Sequence, residues 1–219
     1  CELFLDKYAT FKFCRKNNFN CAKTYNTFTD FQKAKDKKEI NFPVFVKPRK
    51  GSASLNINIA RNIEEAKIIF SSSEDMIIQE FLKGQEIGVD VYIDMISKEV
   101  VSIFIKEKIA MRAGETDKSK SIKFEKLFRL IEEFVSKAEL IGPIDIDVFD
   151  INGEYYISEV NPRFGGGYPH AYECGINFPK YIVNNLKGIK NEKQIGNYQE
   201  NVYMMKHDIL TIKRNLITK

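Results

Sequence analysis

The chain has 219 residues, 43% of them apolar and 29% charged, with 34 basic and 30 acidic side chains and a net charge of +4. That length supports one large domain or two small ones around a real core, and the composition excludes disordered and fibrous classes. No apolar run approaches the roughly 20 residues that span a bilayer, no N-terminal segment shows the basic start, apolar middle and small-residue cleavage site of a leader, and the two charge signs are intermixed, so neither membrane nor nucleic acid is an expected partner.

Cys1, Cys14, Cys21 and Cys174 are scattered, with no pair two residues apart; this spacing predicts reduced thiols in a cytoplasmic protein. His170 and Cys174 lie four apart, but two ligands do not make a zinc site. The chain starts at Cys1 rather than Met, which leads to the expectation of a trimmed terminus or a longer parent protein.

Along the chain, residues 6–17 predict a helix, with Tyr8, Phe11 and Cys14 three apart. The mixed run 33–38 contains Asp36 and suits a solvated helix or loop. Residues 44–47 predict a short strand, 57–60 a second, and Asn62 caps a helix with Glu64 and Glu65 in its first turn. Strands follow at 76–80 and 88–95, where Val89, Val91, Ile93 and Met95 alternate with Asp90, Tyr92 and Asp94. Residues 100–110 predict their neighbour, 111–120 a polar mobile stretch, and 123–139 an amphipathic helix with Leu127, Leu130, Ile131, Phe134 and Ala138 inward. Residues 144–150 and 155–160 predict a hairpin around Asn152-Gly153. A glycine loop at 165–167 and a helix near 179–186 complete an α+β pattern with mostly antiparallel strands.

Three features carry chemistry. In residues 42–54 (FPVFVKPRKGSAS) a strand delivers Lys47 to a loop of small residues that includes Ser52. Such a loop admits phosphate oxygens to backbone N–H groups, and a plain surface turn reads the same way. In residues 79–86 (QEFLKGQE) a strand end with free backbone groups suits a purine edge, and a following carboxylate suits ribose hydroxyls. Asp145 and Asp147 share one strand face, opposite Ile144, Ile146 and Val148, and are followed by Glu159, Asn161 and Arg163. Oxygen ligands on paired strands suit Mg²⁺, which is held by one or two carboxylates plus phosphates, and an arginine beyond them suits a phosphate clamp.

The run 159–167 (EVNPRFGGG), after 141–147 (IGPIDID), resembles the metal-binding end of ATP-grasp domains, above all the carbamoyl-phosphate-synthetase-like branch. With the upstream motifs the likeness covers about residues 6–186. It implies two α+β lobes enclosing ATP, divided as a linking helix (1–20), a small lid lobe (21–82), a large lobe with the metal site (83–190) and a C-terminal extension (191–219). It implies Asp147 and Glu159 as Mg²⁺ (or Mn²⁺) ligands with the amide oxygen of Asn161. It further implies Arg163 at the γ-phosphate or acyl-phosphate, Arg112 at the transferred phosphate or the acid, Lys47 and Ser52 at the phosphates, and Lys7 at the lip of the site. Glu80, Phe81 and Leu82 would form the adenine hinge, and Glu86 the ribose ligand.

The implied activity is ATP-dependent ligation of a small carboxylate to an amine or thiol through an acyl-phosphate. Phosphorylation of bicarbonate or carbamate and a silent nucleotide-binding module are the alternatives. Two departures stand out: Ala53 and Asn56 replace lid glycines common in the family, and the α/β domain that usually precedes the Asp6-Lys7 helix is absent, implying a missing domain or a homodimer. Parity adds one expectation. Asp147 and Glu159 share a cation only if they share a face, so a three-residue loop (151–153) pairing Asp147 with Ile157 is expected in place of a two-residue turn pairing Asp147 with Ser158.

Overall fold

A computed structural model describes residues 2–51 and 57–212. In chain order it contains α1 (Glu2–Leu5), α2 (Lys7–Lys16), β1 (Thr24–Tyr25), α3 (Phe28–Asp36), β2 (Val44–Pro48), β3 (Asn58–Ala60), α4 (Ile63–Ser71), β4 (Met76–Glu80) and β5 (Gln85–Ile93). Then follow β6 (Val100–Arg112), β7 (Glu115–Ile122), α5 (Glu125–Lys137), β8 (Gly142–Ile151), β9 (Glu154–Asn161), α6 (Tyr168–Glu173), α7 (Phe178–Leu186) and β10 (Tyr203–Met205).

The strands form two antiparallel sheets, ordered β1-β4-β2-β3 and β10-β7-β6-β5-β8-β9. The smaller sheet has its own core, in which Phe31 and Ala34 of α3 and Ala66 of α4 pack on Val44, Val46 and Ile78. Asn62 caps α4 as expected, accepting from the Glu65 amide, and Asp6 caps α2 by accepting from the Tyr8 and Ala9 amides. On the larger sheet, Ile87, Val89, Val91, Ile144, Ile146 and Val148 share a core with Leu127, Ile131 and Phe134 of α5. Phe134 also receives Phe4, Phe13 and Phe19 at centroid distances of 5.9, 5.7 and 5.1 Å. Those contacts dock α1 and α2 on the larger sheet and present the start of α2 to the smaller one.

The other face of the larger sheet is charged, yet it is not left to water. Asp90, Tyr92 and Asp94 are all at most 1% exposed. Rings of α7 cover Tyr92, with Phe178 at 5.5 Å and Tyr181 at 5.3 Å. Asp94 accepts from Asn185 and Asn191 and is drawn down below the usual carboxylate range despite its burial.

Two expectations are corrected. Residues 111–120 are the end of β6, a two-residue turn and the first part of β7, with Arg112 paired to Glu115 and Lys108 to Ser119. Their polar sequence reflects one face on the charged cavity and the other toward solvent. The β8–β9 turn has two residues, Asn152 and Gly153, both at positive φ (55° and 83°), and it pairs Ile151 with Glu154. A β-bulge at Ser158 then restores the parity that the turn alone would lose. Val148 pairs with Ile157 and Asp147 with Glu159 directly.

Candidate functional site

Because the bulge resets the register, Asp147 faces Glu159 and Asp145 faces Asn161 on adjacent strands. Directly opposed residues hold their Cβ atoms about 5 Å apart. All four line a cavity of about 320 Å³ with Lys108, Arg163 and the glycine loop 165–167. The loop lies flat on these side chains. A Cβ on Gly165 would stand 2.4 Å from Asp145 Oδ1, and one on Gly167 would stand 2.7 Å from Lys106 Cε. A side chain at either position would have to displace these groups.

Two buried lysines balance the carboxylates. Lys106 pairs with Asp90, both side chains at most 2% exposed. Burial pushes the Asp90 carboxyl up, against the pull of Lys106. Lys108 Nζ bridges Glu86 Oε1 at 2.7 Å and Asp147 Oδ1 at 2.6 Å. Burial opposes its charge, but Asp147 and Glu86 outweigh burial and hold it above the ordinary lysine value. Asp145 is pushed up to about 7 by burial first, then by Asp147 and Asp90.

A second cavity of about 260 Å³, lined by Lys7, Lys50, Gly51, Glu159 and Asn161, adjoins the first across Glu159 and Asn161. Here the smaller sheet meets the larger. Lys7 Nζ donates to Gly51 O at 2.7 Å, and Arg49 Nε to Asp6 Oδ2 at 2.8 Å, which ties the start of α2 to the end of β2. Lys47 is drawn down to about 8 by burial and then by the neighbouring Lys7, with Glu159 opposing. Lys7 is likewise lowered by burial, with Glu159 and Asp6 opposing. Two strained cations facing one carboxylate form a place where anionic oxygens relieve repulsion.

The donor set fits a hard cation. Asp147, Glu159 and Asn161 offer oxygens from two paired strands, a set that suits a cation sharing phosphate oxygens; among the described residues no cluster of three acidic, histidine or cysteine groups is formed. The chemistry of the donors is right for Mg²⁺, and the ammonium of Lys108 neutralises Asp147 in this state.

The remaining expected residues fall as follows. Arg163 is exposed at the cavity rim, donating to Phe164 O at 2.8 Å. Glu80 accepts from the Lys23 amide at 3.1 Å, Phe81 stacks on Phe45 at 4.8 Å, and Leu82 is half-buried beside them. Glu86 is engaged by Lys108. Arg112 does not line the cavity; Asp117 at 3.0 Å and Asp208 hold its guanidinium. Ser52, with Ala53 and Asn56, lies outside the described residues. His170 is 2% exposed, sits 2.8 Å from Ser119 Oγ, and is pushed down to about 4 by burial and Lys106. Sequence reasoning missed Lys106, Lys108 and Asp90 as parts of the site. Their signal was parity: both lysines lie on one face of an apolar strand, and Asp90 sits in the middle of its neighbour.

Residues 4–167 match the ATP-grasp domain family. The chain is 28% identical over 179 residues to the D-alanine–D-alanine ligase of Campylobacter lari, covering 71% of this chain and 49% of that protein. It is 27% identical over 185 residues to the phosphoribosylamine–glycine ligase of Fusobacterium nucleatum, covering 70% and 42%. The chain thus spans about half the length of the curated relatives it matches. Among solved structures, the biotin carboxylase domain of Hydrogenobacter thermophilus 2-oxoglutarate carboxylase, crystallised with MgADP and bicarbonate, superposes with a TM-score of 0.74. That likeness covers 92% of this chain and 49% of the other at 18% identity, a likeness of fold.

Proposed function

The chain belongs to the ATP-grasp family, and from that premise we propose that it is the nucleotide- and metal-binding core of an ATP- and Mg²⁺-dependent ligase joining a carboxylate to an amine or thiol. The observation that carries the reading is the direct Asp147–Glu159 pair, with Asn161 two residues on and Arg163 at the rim of the same cavity. Asp147, Glu159 and Asn161 would hold Mg²⁺, which supplies charge neutralisation at the phosphates when bound. Lys47 and Lys7 suit the phosphate chain, and the residues 80–82 suit the adenine edge.

In the proposed reaction, a substrate carboxylate oxygen attacks the γ-phosphorus of ATP and ADP leaves. The acyl-phosphate carbonyl is then attacked by the amine or thiol, and inorganic phosphate departs with the C–O bond electrons. Such transfer needs positioning and charge stabilisation rather than a protein nucleophile. A site of cations, carboxylates and a close glycine loop is suited to that.

The test uses the 219-residue chain. ATP with Mg²⁺ is expected to raise Tm by mass action. Glu159→Gln is expected to remove most of the metal-dependent part, and Lys47→Ala to weaken ATP and ADP alike. ADP release is then measured over a panel of carboxylic acids with hydroxylamine as a surrogate acceptor, which converts an acyl-phosphate to a hydroxamate and phosphate. Equal thermal shifts with and without Mg²⁺, unchanged in Glu159→Gln, would sink the reading. Mg²⁺-dependent binding with no ADP from any acid would show that this chain, which spans about half the length of its curated relatives, binds nucleotide but does not carry out ligation by itself.

A further inference from the structure

The family match ends at residue 167, yet the chain returns to the site well beyond it. β10 adds to the edge of the larger sheet, pairing Tyr203 with Lys120, Met204 with Ser119 and Met205 with Lys118. The Lys206 amide continues the ladder by donating to Asp117 O at 2.9 Å. This placement delivers Lys206 Nζ to two acceptors at once, Gly166 O at 3.0 Å and Glu115 Oε2 at 3.1 Å.

Both acceptors belong to residues that line the carboxylate-bearing cavity. Gly166 is the middle of the glycine loop, and Glu115 begins β7 at the tip of the β6–β7 hairpin. The two residues already touch: a Cβ on Gly166 would lie 2.7 Å from Glu115 Cδ. Two residues further on, Asp208 grips Arg112 on the same tip. Lys206 and Asp208 thus hold the hairpin through two ion pairs of opposite sense.

We propose that Lys206 is a positioning residue that holds the hairpin tip and the glycine loop together at this cavity, so that it governs which acids fit and how far water is excluded. The proposal rests on the ligase reading for its functional half alone. An exposed ion pair by itself contributes little, and Glu115 is 62% exposed. The bond to the Gly166 carbonyl and the backbone pairing of β10 act at the same point, so the ammonium closes a contact whose geometry is already set. Water exclusion matters because an acyl-phosphate exposed to water hydrolyses in competition with ligation.

The test compares the wild-type chain with Lys206→Met, which keeps the stem and loses the charge, and Lys206→Arg, which keeps the charge. Amide exchange at residues 113–117 and 165–167 is expected to rise about tenfold in Lys206→Met, to stay near wild type in Lys206→Arg, and to remain unchanged in β8 and β9. With an acid that yields hydroxamate, KM for the acid is expected to rise about fivefold in Lys206→Met while KM for ATP stays within about twofold. Unchanged exchange in Lys206→Met, or a rise spread evenly through β8 and β9, overturns the clasp. A parallel change in both KM values overturns its role toward the acid. If this chain, which spans about half the length of its curated relatives, turns over no acid by itself, amide exchange alone decides whether Lys206 holds the cavity wall.

Discussion

Lys47 shows how a single residue is tuned by its surroundings. Burial and the neighbouring Lys7 lower it from 10.5 to about 8, with only Glu159 opposing. Below about 8 the ammonium is charged and suited to phosphate oxygens; above it, the charge is lost. Affinity for Mg·ATP is therefore expected to fall as pH rises through 8 to 9.5, by at most about tenfold per pH unit. Lys47→Arg, which stays charged throughout, is expected to flatten the profile, and calorimetric titration at three pH values checks it. Folding stability responds in the opposite sense. The unfolded chain binds this proton more tightly, so Lys47's share of stability rises between about 8 and 10.5.

Lys47 was legible in the sequence because a lysine ending a strand before a small-residue loop is a local pattern. Lys108 was not, because its importance lies in bridging Glu86 and Asp147, on two other strands. No local window contains that triangle.

At the scale of elements, the β8–β9 hairpin is the instructive case. Asn152 and Gly153 favour a two-residue turn, as left-handed backbone at both positions demands. The carboxylates demand a shared face. Sequence reasoning met the conflict by lengthening the loop, whereas the chain keeps the turn and places one extra residue, Ser158, in the strand. A bulge is one unit of parity, so its removal has a definite consequence. Deleting Ser158 leaves a regular ladder in which Val148 still faces Ile157 and Asp147 still faces Glu159. The Mg²⁺-dependent part of the ATP thermal shift is expected to survive that deletion. Inserting a residue after Ser158 instead is expected to abolish it by turning Glu159 to the far face. Differential scanning fluorimetry with and without Mg²⁺ distinguishes the two outcomes.

The stretch 111–120 failed for a related reason. Its polar sequence carries no apolar alternation, and its strand character comes from pairing with β6 and β10.

At the scale of the whole molecule, the larger sheet separates two kinds of burial. Its apolar face packs on α5, and its charged face is sealed by α6, α7 and the glycine loop. The Asp90–Lys106 pair lies under that seal with both partners out of water. Removing one partner strands the other, so Lys106→Met is expected to lower unfolding free energy by about 3–5 kcal/mol. The double change Asp90→Leu with Lys106→Met is expected to recover most of that loss, because two apolar groups need no partner. Denaturant unfolding of the three proteins measures the coupling. A double variant as unstable as the single would show that the pair is not the source of the loss.

The sequence by itself determined the cap at Asn62, the alternation that gives the larger sheet an apolar face, and the presence of acidic and amide groups on paired strands. Each of these depends on neighbours a few residues away, where spacing dictates which side a residue faces. The tertiary structure alone decided the bulge at Ser158, the double burial of β5, the lysines that balance the carboxylates, and the return of Lys206 to the cavity. These depend on strands distant in sequence and adjacent in space, where packing and the cost of unpaired buried charge choose among arrangements that the local pattern leaves equal.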